Sequence, residues 1–390
     1  MNIAIAGPFN PQSVKDYFSE GTELPDINKT ASSVNAYVNG LLKCGHRVWV
    51  VTSYAFDGPS YSIEGENIIL CFVSTKFKVH ALGRARMGKR VYKALEKYID
   101  EIEIIHAQWT YEFALGALHF KGRKPLFCSV RDWCPYILSL AKGGMAKYYW
   151  TMSYFIFKKV MKGDSFKFIA NSEYTKSQIL GDYPEKDVAI IPNPIDSRFI
   201  LRNREIYPDN PVFISISYSV ASPRKNNIKL LEAFHIYHKE KPKASLILIG
   251  ACPEDLKVQL EKDELLDGVI LKGLQDHDDV IKLIDESSCL VHPAIEETFG
   301  NILLEGMCRR VPCIGGKTAG AIPQVLGNGK YGVLCDVTDA QSIYKAMKEV
   351  ESKDLFLQLV NDSTEYLLRE FPDVVVAQKH IDLFRSYMNK

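Results

Sequence analysis

The sequence predicts an α/β protein of two doubly wound, Rossmann-like domains, and three observations carry that prediction. Short runs apolar on both faces recur along the whole chain, longer stretches of helical spacing separate them, and one segment rich in proline and polar residues, IPNPIDSRFILRNREIYPDNP (191–211), divides the runs into two series. A strand covered by helices on both sides is buried on both faces, so it reads as a continuous apolar run rather than as an alternation. Strands that alternate with helices in this way form parallel sheets.

In chain order the first series is NIAIAG, HRVWVVTS, NIILCFVS, IEIIHAQW, PLFCSVRD, FKFIANS and VAIIP, and the second is VFISISYS, SLILIG, VILKG, CLVHPA, VPCIGG and YGVLCD. With 390 residues the chain can bury two cores of ordinary size. The seam predicts domains over 1–196 and 197–371. From about Asp354 onward the pattern is helical. It breaks at Phe371-Pro372, because proline disfavours helix in the residue before it, and residues 372–390 are expected to pack back on the first domain.

Composition excludes several classes. The chain has 48 basic and 47 acidic residues, which removes the electrostatic case for nucleic acid as the main partner. Nine cysteines, with no C-x-x-C pair and mostly inside apolar runs, point to reduced, buried thiols and a cytoplasmic setting. The start MNIAIAGPFN has no basic region ahead of its apolar run, so no signal peptide is expected. YYWTMSYFIF (148–157) is too short to span a bilayer and is followed by Lys158 and Lys159.

Candidate chemistry concentrates in EETFGNILLE (296–305). On one helix, Glu297 and Glu305 would stand roughly 12 Å apart along the axis, too far for a glycosidase pair that needs roughly 5 to 5.5 Å. CLVHPA is a strand, EETFGN suits a loop and ILLEGMCRR has helical spacing, so Glu297 falls at the carboxyl end of a strand and Glu305 on the following helix. Gly300 and Asn301 fall where that helix begins, and its free N–H groups suit an anion. One acid in the loop, one on the helix and an anion seat between them fit a phosphorylated sugar. The plainer alternative is two solvated surface acids.

The run HPAIEETFGNILLEGMCRRVPCIGGKTAGAIPQVLGNGKYGVLCD (292–336) resembles the donor-binding segment of the retaining GT-B glycosyltransferases of family four, with a Glu, seven residues, a second Glu, a small-residue segment and a closing strand. The resemblance implies two Rossmann-like domains facing across a cleft, a nucleotide sugar (UDP- or GDP-linked) on the second and an acceptor on the first. It implies that Glu297 contacts the donor sugar or diphosphate, that Glu305 hydrogen-bonds the ribose hydroxyls, and that Gly300 and Asn301 offer amides to the phosphates with Ile302 beside them. ASPRKNNIKLLEAF (221–234) is similar to the family's basic segment, which makes Arg224 and Lys225 partners for the leaving diphosphate. The family's further arginine is Val220 here. A basic helix cap on the surface is the alternative. IPNPID (191–196) resembles the family's hinge turn, where Asn193 has a structural role.

In the first domain the family's Gly-Gly loop is replaced by Thr30, Ala31, Ser32 and Ser33, whose amides and hydroxyls suit a phosphate. The family's strand-end histidine is Arg131, which cannot act as a base but can hold an anion. Asp132 is the acid at that strand end, able to orient a hydroxyl. His106 also ends a strand and either lines the site or is simply packed. GGKT (315–318) lacks the first glycine of a phosphate loop, and His235 and His238 have no third ligand near in sequence. No Asp-x-Asp is read at a strand end, so neither metal nor other cofactor is expected, and Arg224, Lys225 and helix termini take the metal's place.

The function these features imply is retaining transfer of a sugar to a glycan or lipid-linked acceptor, with a leaving phosphate oxygen taking the acceptor proton. FKVHALGRARMGKRVYKALEK (77–97) and GGMAKYYWTMSYFIFKKVMKG (143–163) mix basic and apolar residues and suit contact with the inner face of an anionic membrane. A solvated helix face and a core helix explain them equally. A nucleotide-sugar-binding scaffold without transfer, favoured by Arg131 and by Gln324 where relatives carry Glu, and a nucleotide-sugar epimerase on the same architecture remain open beside the transferase.

Overall fold

The computed structural model describes residues 1–27, 31–76, 83–201 and 210–389. Thr30, the start of the basic stretch at 77–82 and most of the seam, 202–209, therefore lie outside the described residues. The chain divides into two compact units, Met1–Asp196 with Phe371–Lys390, and Ser197–Glu370.

The first unit holds β1 (Asn2–Ala6), β2 (Arg47–Tyr54), β3 (Tyr61–Gly65), β4 (Ile68–Ser74), β5 (Ile104–Gln108), β6 (Leu126–Val130), β7 (Lys167–Ala170) and β8 (Val188–Ile190) in one sheet of order β3-β4-β2-β1-β5-β6-β7-β8. Its helices are α1 (Ser32–Lys43), α2 (Gly83–Glu96), α3 (Glu112–Ala117), α4 (Cys134–Leu140), α5 (Gly144–Met161) and α6 (Glu173–Asp182). Among the described residues every strand pairing of this sheet is parallel except β3 on β4. Strand β3, YSIEG, is absent from the apolar runs read from the sequence, because it is an edge strand with Ile63 as its one aliphatic residue. Alternate residues of the strands feed separate cores on the two faces of the sheet: Trp49 and Val51 join Phe157 and Phe168 on one, and Val48 and Val50 join Tyr37 and Leu41 on the other.

The second unit holds β9 (Val212–Ser219), β10 (Ser245–Ala251), β11 (Val269–Gly273), β12 (Cys289–His292), β13 (Cys313–Gly316) and β14 (Val333–Cys335), all parallel, in the order β11-β10-β9-β12-β13-β14. Between and after them lie α7 (Asn227–Glu240), α8 (Glu254–Lys262), α9 (His277–Asp285), α10 (Asn301–Cys308), α11 (Ile322–Val325), α12 (Ala340–Glu349) and α13 (Lys353–Glu370). The chain then returns to the first unit as α14 (Asp373–Met388). Phe371 belongs with it, since its carbonyl accepts from Ile195 N–H at 2.9 Å. Helix α14 packs on α1 at Gly40, where any Cβ would collide with the Asp373 carbonyl, and Lys43 Nζ pairs with the buried Asp373 at 2.5 Å. All nine cysteines are free thiols, and only Cys44 and Cys252 are partly exposed.

Candidate functional site

In each sheet the first strand lies between the second and a much later one: β1 between β2 and β5, β9 between β10 and β12. Helices leave such a pair toward opposite faces, which opens a crevice at the carboxyl ends of the strands. Both groups of predicted residues fall at those ends.

In the second unit the loop after β9 and the loop after β12 are joined by backbone and charge. Ile295 N–H donates to the Arg224 carbonyl at 3.0 Å. Arg224 Nη1 donates to the Glu296 carbonyl at 3.2 Å and to Glu296 Oε2 at 3.3 Å, and lies 3.7 Å from Glu297 Oε1. Lys225 Nζ binds Glu297 Oε2 directly. His292, the last residue of β12, is buried with Nε2 3.4 Å from the same oxygen. Burial alone would raise the Glu297 carboxyl; the His292 ring and the Lys225 and Arg224 charges outweigh it and hold the group well below the usual carboxylate range. Burial lowers His292 despite its glutamate neighbour, so the ring is neutral at neutral pH.

Asn226 holds this arrangement in register. It adopts the left-handed conformation, with φ 56°, that asparagine tolerates better than most residues. Its Nδ2 donates to the Pro293 carbonyl at 3.1 Å and to the Val337 carbonyl at 2.7 Å, joining the loops after β9, β12 and β14.

Gly300 caps α10 with φ 87°, a left-handed conformation that favours glycine, and packs close to the Ile322 side chain. Asn301 and Ile302 open the first turn, where Leu303 N–H donates to the Gly300 carbonyl at 2.9 Å. Glu305, one turn on, is mostly buried with Oε1 3.5 Å from His277 Nε2, and His277 opens α9 with its ring 5.6 Å from that of Phe199. An Asp-x-Asp does stand here, Asp276-His277-Asp278, three residues past β11. This corrects the sequence reading. The structure uses these acids as the start of α9, where carboxylates complement the helix dipole. Gly315 and Gly316 end β13, and a Cβ on Gly316 would stand 2.7 Å from Ala319 Cβ, so the glycines of GGKT allow close packing. Gln324 is exposed on α11.

In the first unit Arg131, just past β6, gathers three strand ends and a helix start. Nε and Nη2 donate to Gln108 Oε1 at 2.9 and 2.6 Å, and Nη1 donates to Ser33 Oγ at 3.2 Å and to Asn193 Oδ1. Its guanidinium lies over Trp109. Burial pushes its pKa down to about 10, which leaves it charged at neutral pH. Ser33 is therefore engaged with Arg131, while Ser32 opens α1 behind Ala31, which makes no side-chain cap. Asp132 Oδ1 accepts from Tyr111 Oη at 2.8 Å. His106 is fully buried, with Nδ1 3.0 Å from Tyr37 Oη and Nε2 2.8 Å from Ser129 Oγ, and His380 of α14 packs beside it. It belongs to the core.

The residues that sequence reasoning missed are Glu296, His292, Asn226 and His277. Glu296 and His292 stood in the quoted segment. Asn226 had a signal in the lysine-asparagine pair ahead of a helix, whereas His277 meets Glu305 only through the fold.

Two doubly wound parallel sheets in one chain, each with polar side chains gathered at its strand ends, are the architecture of GT-B glycosyltransferases. Anabaena HepE, solved in complex with UDP and glucose, superposes with a TM-score of 0.69 over 99% of this chain and 100% of its own, at 16% identity. The model described as Glycosyl transferases group 1 matches residues 198–366 and the model described as Glycosyltransferase Family 4 matches residues 30–199; the chain belongs to this family of glycosyltransferases. Among curated proteins it is 28% identical over 210 residues to N-acetyl-alpha-D-glucosaminyl L-malate synthase of Bacillus anthracis, covering 52% of this chain and 54% of that protein. It is 26% identical over 175 residues to GDP-mannose-dependent alpha-(1-6)-phosphatidylinositol monomannoside mannosyltransferase of Mycolicibacterium smegmatis, covering 41% and 43%. The chain spans about half the length of these curated relatives.

Proposed function

We propose that the protein transfers a sugar from a UDP- or GDP-sugar to a hydroxyl of a glycan or lipid-linked acceptor, with retention at the anomeric carbon, without a divalent metal, at the cytoplasmic face of the membrane. The observation that carries this reading is the pairing of Lys225 and Arg224 with Glu297 and Glu296 beside the start of α10. Two cations and two carboxylates are balanced there, and an arriving diphosphate competes with Glu297 for Lys225. Developing charge on the leaving diphosphate then meets Lys225, Arg224 and the amides at Gly300, Asn301 and Ile302, all fixed beforehand, which is where electrostatic catalysis is most effective. Glu305 accepts from the ribose hydroxyls. A leaving phosphate oxygen takes the proton of the acceptor hydroxyl as the glycosidic bond to the diphosphate breaks and the bond to the acceptor forms on the same face.

Residues 1–196 with 372–390 form the acceptor-side domain, where Asp132 orients a hydroxyl, Ser32 offers its amide and hydroxyl to a donor phosphate, and Arg131, held by Gln108, Ser33 and Asn193, fixes the strand ends and keeps a positive charge there; residues 197–371 bind the donor. The UDP and glucose bound by Anabaena HepE and the GDP-mannose and phosphatidylinositol in the name of the mycobacterial relative support these donor and acceptor classes.

The test is thermal stability of the purified protein with UDP, GDP, ADP and their sugars, each with and without EDTA. A ligand at about a hundred times its dissociation constant adds roughly 2.7 kcal/mol. A shift with UDP or GDP that EDTA leaves unchanged is the expected result. A response to none of them would favour the scaffold reading, and a shift abolished by EDTA would restore a metal.

A further inference from the structure

We propose that the outward face of α5, with the end of α4, is a docking surface for anionic phospholipid. The reading of a membrane-facing, lipid-linked acceptor is the frame for this assignment; the surface itself stands on its own residues. From Trp133 to Gly163 the chain carries five lysines and no aspartate or glutamate. Helix α5 turns Ser153, Phe157, Val160 and Met161 inward, where Trp133 packs edge-on to Phe157 at 5.1 Å and Tyr111 meets Trp150 at 6.0 Å. The opposite face is apolar as well. Met145, Tyr148, Met152 and Phe155 follow one another at helical spacing of three or four residues. Met145 is 82% exposed and Phe155 60%, and Leu140 at the end of α4 is also exposed. Contiguous apolar side chains left in water on a folded protein mark an interaction site.

The lysines identify the partner. Lys158 and Lys159 lie in the last turn of α5, where the helix dipole accounts for them. Lys142 and Lys147 do not fit that explanation: they are exposed at the N-terminal end of a helix whose first turn has no acid, against the dipole. A surface that gathers cations at both ends of an apolar stripe fits a flat anionic boundary with an apolar interior, in which a helix lies parallel to the plane with its lysines at the headgroups. Among the described residues no helix is long and apolar enough to cross a membrane, so α5 would lie on the membrane rather than span it.

The experiment is co-sedimentation of the full chain with vesicles of phosphatidylglycerol and phosphatidylcholine against vesicles of phosphatidylcholine alone, at low and high salt. Binding that needs the anionic lipid and weakens with salt is expected. Met145→Ser with Phe155→Ser, and separately Lys142→Glu with Lys147→Glu, should each weaken it at least tenfold, while the nucleotide thermal shift is unchanged and reports an intact fold. Three outcomes would overturn the proposal: equal binding to both vesicle types, binding indifferent to both pairs of substitutions, or vesicles left unbound while sedimentation velocity shows a dimer that the serine variant dissolves, which would assign the face to a second copy. Vesicle binding without any nucleotide shift would keep the docking surface and overturn the transferase reading; a nucleotide shift without vesicle binding would do the reverse.

Discussion

The two units place polar side chains at equivalent points of similar sheets and solve the burial of charge in opposite ways. In the second, Lys225 and Arg224 are matched by Glu297 and Glu296, with the carboxylates nearly buried. In the first, Arg131 donates to the neutral side chains of Gln108, Ser33 and Asn193. A matched set of charges can exchange one partner for a charged ligand, because an arriving anion displaces a carboxylate already there. A cation held by neutral oxygens mainly fixes the elements that supply them. On this comparison the second unit is built so that a carboxylate can give way to an anion, and Arg131 holds strand ends together while keeping its positive charge.

The largest expected effect breaks the matched set. Glu297→Gln should lower transfer about a hundredfold, since it unbalances two cations aimed at the diphosphate. It should also change the pH dependence of stability. The folded-state carboxyl lies below its ordinary value near 4.5, so its contribution is fully present above that pH and is lost as pH falls through the lower folded value. Urea midpoints measured from pH 7 downward should therefore fall less steeply in Glu297→Gln than in the parent below pH 4.5; parallel curves would place the depressed carboxyl elsewhere.

Next comes the neutral cage. Arg131→Met leaves the acceptors on Gln108, Ser33 and Asn193 without that donor, at a cost of about 3 kcal/mol in urea unfolding. Arg131→Lys should recover only part, because an ammonium cannot reproduce the guanidinium fork. Full recovery by lysine would show that charge rather than geometry is what the first unit needs.

Asn226→Gly separates conformation from hydrogen bonding. Glycine keeps the left-handed backbone and loses both amide bonds, for about 1–2 kcal/mol of stability, and kcat should fall while nucleotide affinity holds. Asn226→Ala adds strain of about 1 kcal/mol. The smallest effect is Tyr37→Phe, which removes one buried hydrogen bond to His106 and costs about 1 kcal/mol, with no change in transfer; a loss of activity there would draw His106 into the site.

Continuous apolar runs made the parallel strands of both sheets legible before any coordinates, and the break at Phe371-Pro372 separated α13 from α14. Strand β3, YSIEG, was invisible because Ile63 is its one aliphatic residue, whereas the equally solvated edge strand β11 keeps the run Val269-Ile270-Leu271. Glu297, Glu305 and Gly300 could be placed on loop, helix and cap because their own neighbours define those elements. The partnership of Arg224 with Glu296 could not be read. It spans 72 residues and exists because β12 inserts beside β9, a strand order that chain order does not reveal. For the same reason Arg131 looked like an open anion site, whereas the side chains that engage it arrive from α1, β5 and the segment after β8.

The central claim is that a nucleotide sugar is held by the second unit's paired charges and the start of α10. It is tested most directly by calorimetric titration of the full protein with UDP and GDP, beside Lys225→Ala and Glu305→Gln variants whose circular dichroism matches the parent. The account predicts that one of the two nucleotides binds the parent and binds each variant at least tenfold more weakly, a loss of about 1.4 kcal/mol or more. Unchanged affinity in both variants would contradict it and move the nucleotide away from Lys225 and Glu305.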